Sequence, residues 1–181
     1  MILTNRLFER QAPSREAKCL YIFCEGAKRE YQYFEYFIEI DSRIKVEVNK
    51  LKPDENNSPK GLYDLAKNSF TGEKPKFIFQ ENDEVWIVLD TDPDKTNSRE
   101  EQIKQIKKDC QSKENWFVVE SNPCFEAWLF YHHNEKFQEF ESDDFCKGWK
   151  QKVNESYEGG FDSRRHPIFI EEAINNAEKN Y

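Results

Sequence analysis

The chain has no apolar run long enough to span a bilayer, and its first residues, MILTNRLFERQAPSREAK, hold no signal-peptide core. Neither a membrane protein nor a secreted one is therefore expected. Paired cysteines are missing too: the five (Cys19, Cys24, Cys110, Cys124, Cys146) are odd in number and show no CxxC spacing. That pattern suits reduced thiols in a cytoplasm and argues against zinc. Positive charge is short, with 27 lysines and arginines against 35 acids and a net charge of −8. A protein that coats nucleic acid non-specifically needs a broad basic surface, so the balance argues against that class. It leaves room for a nuclease with a local basic lip and metal-masked acids. Hydrophobic residues reach only 37%, but aromatics supply 15%, and rings provide burial that aliphatics do not. There is no internal repeat. At 181 residues, one domain with a small appendage and a proper core is expected.

What is present centres on EVWIVLDTDPDKT, Glu84 to Thr96. Val85 to Leu89 is a continuous run of β-formers, too short for a helix and suited to a strand buried on both faces of a parallel sheet. It stops in Asp90-Thr91-Asp92-Pro93-Asp94, three carboxylates at alternate positions with a proline that cannot join a ladder. Cys19 to Cys24 reads as another buried strand and also stops on an acid, in Glu25-Gly26. The glycine permits a tight turn or the close approach of a ligand.

Taken in order, residues 1–17 form a polar arm, followed by the Cys19–Cys24 strand. A helix is predicted over Lys28 to Glu39 from the spacing of Tyr31, Phe34, Phe37 and Ile38. Ile44 to Val48 alternates as a strand nearer the sheet edge. Residues 52–60 read as loop, Leu62 to Phe70 as a short helix, and Phe77 to Phe79 as an extended piece. After the central strand, Asn97 and Ser98 each open a capping-box pattern, and Ile103, Ile106 and Cys110 make the apolar stripe of a helix. Trp116 to Val119 is the fourth strand. Pro123 is expected in the first turn of the next helix with Asn122 as its cap. Helices follow around Asp143–Ser156 and Pro167–Lys179. Strand-then-helix units of this kind predict an α/β fold with a parallel sheet and right-handed crossovers. The boundaries expected are an arm at 1–17, an α/β domain at 18–134 and a helical C-terminal appendage at 135–181.

The acids gain meaning from where these strands end. Parallel strands put their carboxyl ends on one side, where open α/β sheets bind ligands. Glu25, the Asp90/Asp92/Asp94 group, and Glu120 or Glu126 all follow predicted strands. Asp90 and Asp92, two apart, share a face on an extended backbone. Such carboxylates are natural Mg²⁺ ligands beside a phosphate, and Glu25 completes the metal site or serves as acid or base. Glu126 sits in a helix first turn, which favours an acid for its own reasons. The bland reading, solvated loop acids, competes throughout. His132 and His133 face different ways and do not pair as ligands. Arg164-Arg165-His166 is a small basic cluster able to receive phosphate, but an ordinary solvated turn is the better explanation.

Three stretches, FCEGAKREYQYF, VWIVLDTDPDK and VVESNPCFEAWLFYH, together resemble the RloB-like family within the wider Toprim superfamily. The Toprim pattern is a Glu-Gly turn after the first strand and a DxD after the third, here Glu25-Gly26 and Asp90-Thr91-Asp92. Ser121 to Trp128 is the most specific of the stretches, and the tail AINNA (Ala173 to Ala177) is similar to the family's last helix. The resemblance implies a Toprim-like, four-stranded parallel sheet between helices and Mg²⁺-dependent nuclease activity, with Mn²⁺ as a substitute. It implies a phage-defence or abortive-infection locus, a DNA or RNA substrate (transfer RNA included), an ABC-type ATPase as partner, and room for a homo-oligomer. On this chain it makes Asp90, Asp92 and Glu25 the metal ligands and Glu25 and Glu126 the catalytic acids. Glu30, Asp94, Ser121, Asn122, Arg164 and Arg165 are accessory candidates. The chain departs from the pattern at Arg29, where the family commonly has Thr. It departs again after Tyr157, where a family lysine is replaced by Glu158-Gly159-Gly160, so that Lys152, Arg164 or Arg165 would have to substitute.

Two other readings compete. One is a non-catalytic metal- or nucleotide-binding subunit of a defence ATPase. The other is a haloacid-dehalogenase-type phosphatase, whose DxD follows the first strand rather than the third.

Overall fold

The structure is a computed structural model that describes residues 9–26, 28–52, 54–92, 97–136 and 145–180. Four strands are all parallel: β1 (Lys18–Cys24), β2 (Ile44–Lys50), β3 (Glu84–Asp90) and β4 (Trp116–Ser121), in the order β2-β1-β3-β4. Between and after them come α1 (Arg29–Glu35), α2 (Pro59–Ser69), α3 (Asn97–Gln111), α4 (Phe125–Tyr131), α5 (Phe145–Ser156) and α6 (Ile170–Glu178), the last entered by a 3-10 turn at His166–Phe169. This is the parallel α/β architecture expected, with the alternating Ile44 segment on the sheet edge.

The unbroken apolar run of β3 serves two cores at once. Val85, Ile87 and Leu89 pack with Cys19, Tyr21 and Phe23 against α2 and α3. Val88, with Trp86 beside it, joins Ile22, Cys24 and Val46 on the other face, against α1, α4 and α5. Alternation along a strand requires this split. α1 and α4 have seven residues each, about 10 Å of helix over strands of about 23 Å. They leave an apolar groove of ≈ 740 Å³ on that face, running from Leu20 and Ile44 to Val88 and Ser121.

Several expectations change. The helix at Lys28–Glu39 stops after Glu35; Tyr36, Phe37 and Ile38 donate to carbonyls three residues back, and Glu39 takes φ 60°. α2 starts at Pro59 because Ser58 Oγ accepts the Gly61 N–H at 3.1 Å and proline suits the first helical position. Phe77–Phe79 forms no strand. β4 runs on through Glu120 and Ser121, so Glu120 is not a rim acid; it points toward α3 and pairs with Lys107. The cap expected at Asn122 is absent. The Asn122–Pro123 bond is cis, Pro123 precedes the helix, and Cys124 holds the cap position without a side-chain hydrogen bond. Asn122 is used elsewhere, its Oδ1 accepting from Thr91 Oγ1 at 3.1 Å. Asp94 and the capping side chains of Asn97 and Ser98 lie outside the described residues.

Candidate active site

Strand register brings the acids to one rim. Cys24 stands beside Val88, and Asp90 beside Ser121, so β1, β3 and β4 end together. The Glu25 N–H adds one more rung, donating to the Val88 carbonyl at 3.4 Å. Asp90 is the last residue of β3, on the same face as Val88, and looks toward the first turns of α1 and α4. Those turns supply Glu30 and Glu126.

The four carboxylates crowd one another. Burial pushes Asp90 up to about 8, and Glu30, Glu25 and Glu126 add to the rise; the Phe125 N–H, hydrogen-bonded to it, pulls the other way. Glu30 is pushed up as well, by burial first and then by Glu126 and Glu25, while its own N–H and Lys150 oppose. An acid held above its ordinary value by neighbouring acids marks an excess of negative charge.

Arg99 is the residue the sequence reading missed. It comes from α3, is 6% exposed, and pairs through Nη2 with Glu25. The same guanidinium donates to the Asp90 carbonyl, at 3.1 Å from Nε and 2.7 Å from Nη2. One side chain thus ties the end of β1 to the end of β3. A signal did exist: a cation in the first turn of a helix opposes the dipole and calls for a partner elsewhere. Gly26 has its own reason. A Cβ there would fall on the Glu30 carboxylate, so the close approach that the glycine permits is made by the chain itself.

Asp92 does not follow Asp90 in the way an extended backbone would dictate. The strand ends at Asp90, and Asp92 takes φ 45°, which breaks the two-residue alternation. Its N–H donates to the Pro123 carbonyl at 2.9 Å, and the Cys146 thiol on α5 reaches its Oδ1 at 3.8 Å. Ser121 and Asn122 shape the same exit: the Ser121 carbonyl accepts the Thr91 N–H at 2.9 Å, and Asn122 takes the Thr91 hydroxyl. Glu126 is 6% exposed and faces Arg29 Nη1 at 3.6 Å.

Arg164 and Arg165 are not brought to the acids. Arg164 grips Asp162 at 3.0 and 2.9 Å, and Arg165 stands 3.7 Å from the same carboxylate. Lys150 on α5 opposes the rise at Glu30. His132, which caps the end of α4, is buried. Its Nδ1 faces the Trp128 carbonyl at 3.1 Å, which assigns the proton there and makes Nε2 the acceptor of the Tyr33 hydroxyl at 3.0 Å. His133 is exposed.

Hard carboxylate oxygens in excess over cations are the donor set that Mg²⁺ or Mn²⁺ takes. Asp90, Glu25, Glu30 and Glu126 fit such an ion in kind. Among the described residues, however, no group of three or more His, Cys, Asp and Glu is arranged to hold a metal as the side chains stand. Arg99 and Arg29 meet two of the acids in the meantime. No described helix is long and apolar enough to cross a membrane.

No curated protein and no solved structure was found to match the chain. A family model does match: that of the RloB-like proteins, over residues 20–181. Its span takes in all four acids, Arg99 and the tail helices, and the chain belongs to the RloB-like family.

Proposed function

We propose that this chain is a Toprim-type, Mg²⁺-dependent nuclease of a bacterial phage-defence locus, cutting phosphodiester bonds in DNA or RNA. The observation that carries the reading is the convergence of Glu25, Glu30 and Glu126 on Asp90 at the carboxyl ends of parallel strands, with Asp90 pushed up to about 8. A bound divalent cation would supply charge neutralisation at the scissile phosphate and an activated water. Asp90 is the ligand the geometry favours, with Glu25 and Glu126 beside it and Asp92 across the turn. Arg99 holds the Glu25 carboxylate to the rim and fixes the backbone at Asp90. Glu30, pushed toward its protonated form, is suited to hand a proton to the leaving oxygen.

The test is cleavage of plasmid, single-stranded DNA and total transfer RNA with Mg²⁺ or Mn²⁺ against EDTA. Asp90→Asn runs alongside, with and without any ATPase encoded next door. Metal-dependent cutting that Asp90→Asn abolishes supports the nuclease. The second reading is a non-catalytic metal- or nucleotide-binding subunit of a defence ATPase, which the net charge of −8 favours over an enzyme that must hold nucleic acid. Silence on every substrate, partner present, would select it.

A further inference from the structure

The acid cluster contains a donor with nowhere to go. Arg29 Nη1 is buried and has no hydrogen-bond partner among the described residues. Its ion-pair partner, Glu126 Oε1, stands at 3.6 Å, close enough for charge but too far for a hydrogen bond. Leaving a buried charged donor unsatisfied is costly, and neutralising Glu126 alone would not require it. Meanwhile the Arg29 side chain is 37% exposed, so part of it reaches solvent while this nitrogen lies inside.

The other cations at the cluster are placed differently. Arg99 is spent on Glu25 and the Asp90 carbonyl and is nearly sealed from solvent. Lys150 acts on Glu30 from α5 and is a point charge without a fork. Arg29 combines an idle donor, access to solvent and the planar geometry that grips a phosphate through two parallel bonds.

We propose that Arg29 is the phosphate-contacting arginine of this site, held against Glu126 until a divalent cation takes that carboxylate. The inference rests on the metal-dependent nuclease reading above. A divalent ion on Glu126 weakens that carboxylate's hold on the guanidinium, because the two cations repel and the carboxylate charge is shared between them. With a divalent ion on the acids, Arg29 would have its donors free for a non-bridging phosphate oxygen. The substrate class that follows is a polyanion presenting a phosphate within reach of α1, and the arginine is available only once the metal is in place.

The test uses the intact chain, wild type against Arg29→Gln and Arg29→Lys, each checked for folding by circular dichroism. Mn²⁺ binding is followed by electron paramagnetic resonance, and binding of short fluorescent single-stranded DNA and RNA is measured in Ca²⁺. Arg29→Gln should bind Mn²⁺ about three- to tenfold tighter, since a repelling charge is gone, and the oligonucleotides at least about fivefold weaker. Arg29→Lys, which keeps the charge and loses the fork, should bind Mn²⁺ like wild type but the oligonucleotides more weakly. It decides the matter if the glutamine variant fails to fold. Unchanged oligonucleotide affinity in the variants overturns the proposal. So does weaker Mn²⁺ binding in Arg29→Gln, which would make Arg29 a support for Glu126. If wild type binds no Mn²⁺, or Asp90→Asn binds it equally well, the nuclease reading itself falls.

Discussion

At the scale of single residues, Arg99 bears on the rim more than any one acid does. Removing it would strand Glu25 beside three other carboxylates and free the Asp90 backbone. Arg99→Met should therefore lower stability by about 3 kcal/mol in urea unfolding, the usual cost of breaking a buried pair. Adding Glu25→Gln should return part of that loss, because no charge is then left alone. Gly26→Ala should act through its neighbour: the new methyl displaces the Glu30 carboxylate, the far end of a flexible chain, so stability changes little. Cleavage should fall as far in Gly26→Ala as in Glu30→Gln, and no further in the double variant, since both changes remove one group. Glu25 and Asp90 were legible because each closes a buried apolar run, and Glu126 because it follows SNPCF. Asp92 misled because the turn at φ 45° leaves no mark in the two-residue spacing. Arg99 escaped notice because its partner lies 74 residues away.

At the scale of elements, α1 and α4 are joined by the Tyr33–His132 hydrogen bond beneath the site. Burial holds His132 down to about 4 from an ordinary 6.5. The folded protein therefore binds this proton less readily than the unfolded chain. Its contribution is complete above pH 6.5 and fades as pH falls toward 4. The stability advantage of wild type over His132→Gln should shrink by about 3 kcal/mol between pH 7 and pH 4 in denaturant titrations. A constant difference would show that the folded ring takes up its second proton as readily as the unfolded chain does. Titrations common to both proteins, Asp90 among them, cancel in that comparison. All four strands were readable because apolar runs of β-formers bounded by turns have few alternatives. Helix ends were harder: α1 is cut short by tightening hydrogen bonds, and the start of α4 depends on Asn122 being taken by Thr91.

At the scale of the molecule, a net charge of −8 repels nucleic acid, and the attraction must come from few cations. With Arg29 and Lys150 as the candidates at the acids, log affinity for single-stranded oligonucleotide should fall with log salt no more steeply than about −2 at fixed Ca²⁺. A slope typical of a basic groove would point to a cationic surface elsewhere.

The order of synthesis adds a last consequence. Glu25 follows β1, while Glu30, Asp90 and Glu126 belong to α1, β3 and α4, and α4 packs on α5 and α6, which come later in the sequence. A ribosome that has passed Asp90 has made three of them, but the rim lacks Glu126 and the helices that seat it. The four acids therefore cannot be gathered at one rim until residues well beyond the last of them have been made and packed, so the rim forms late relative to the strands that carry it.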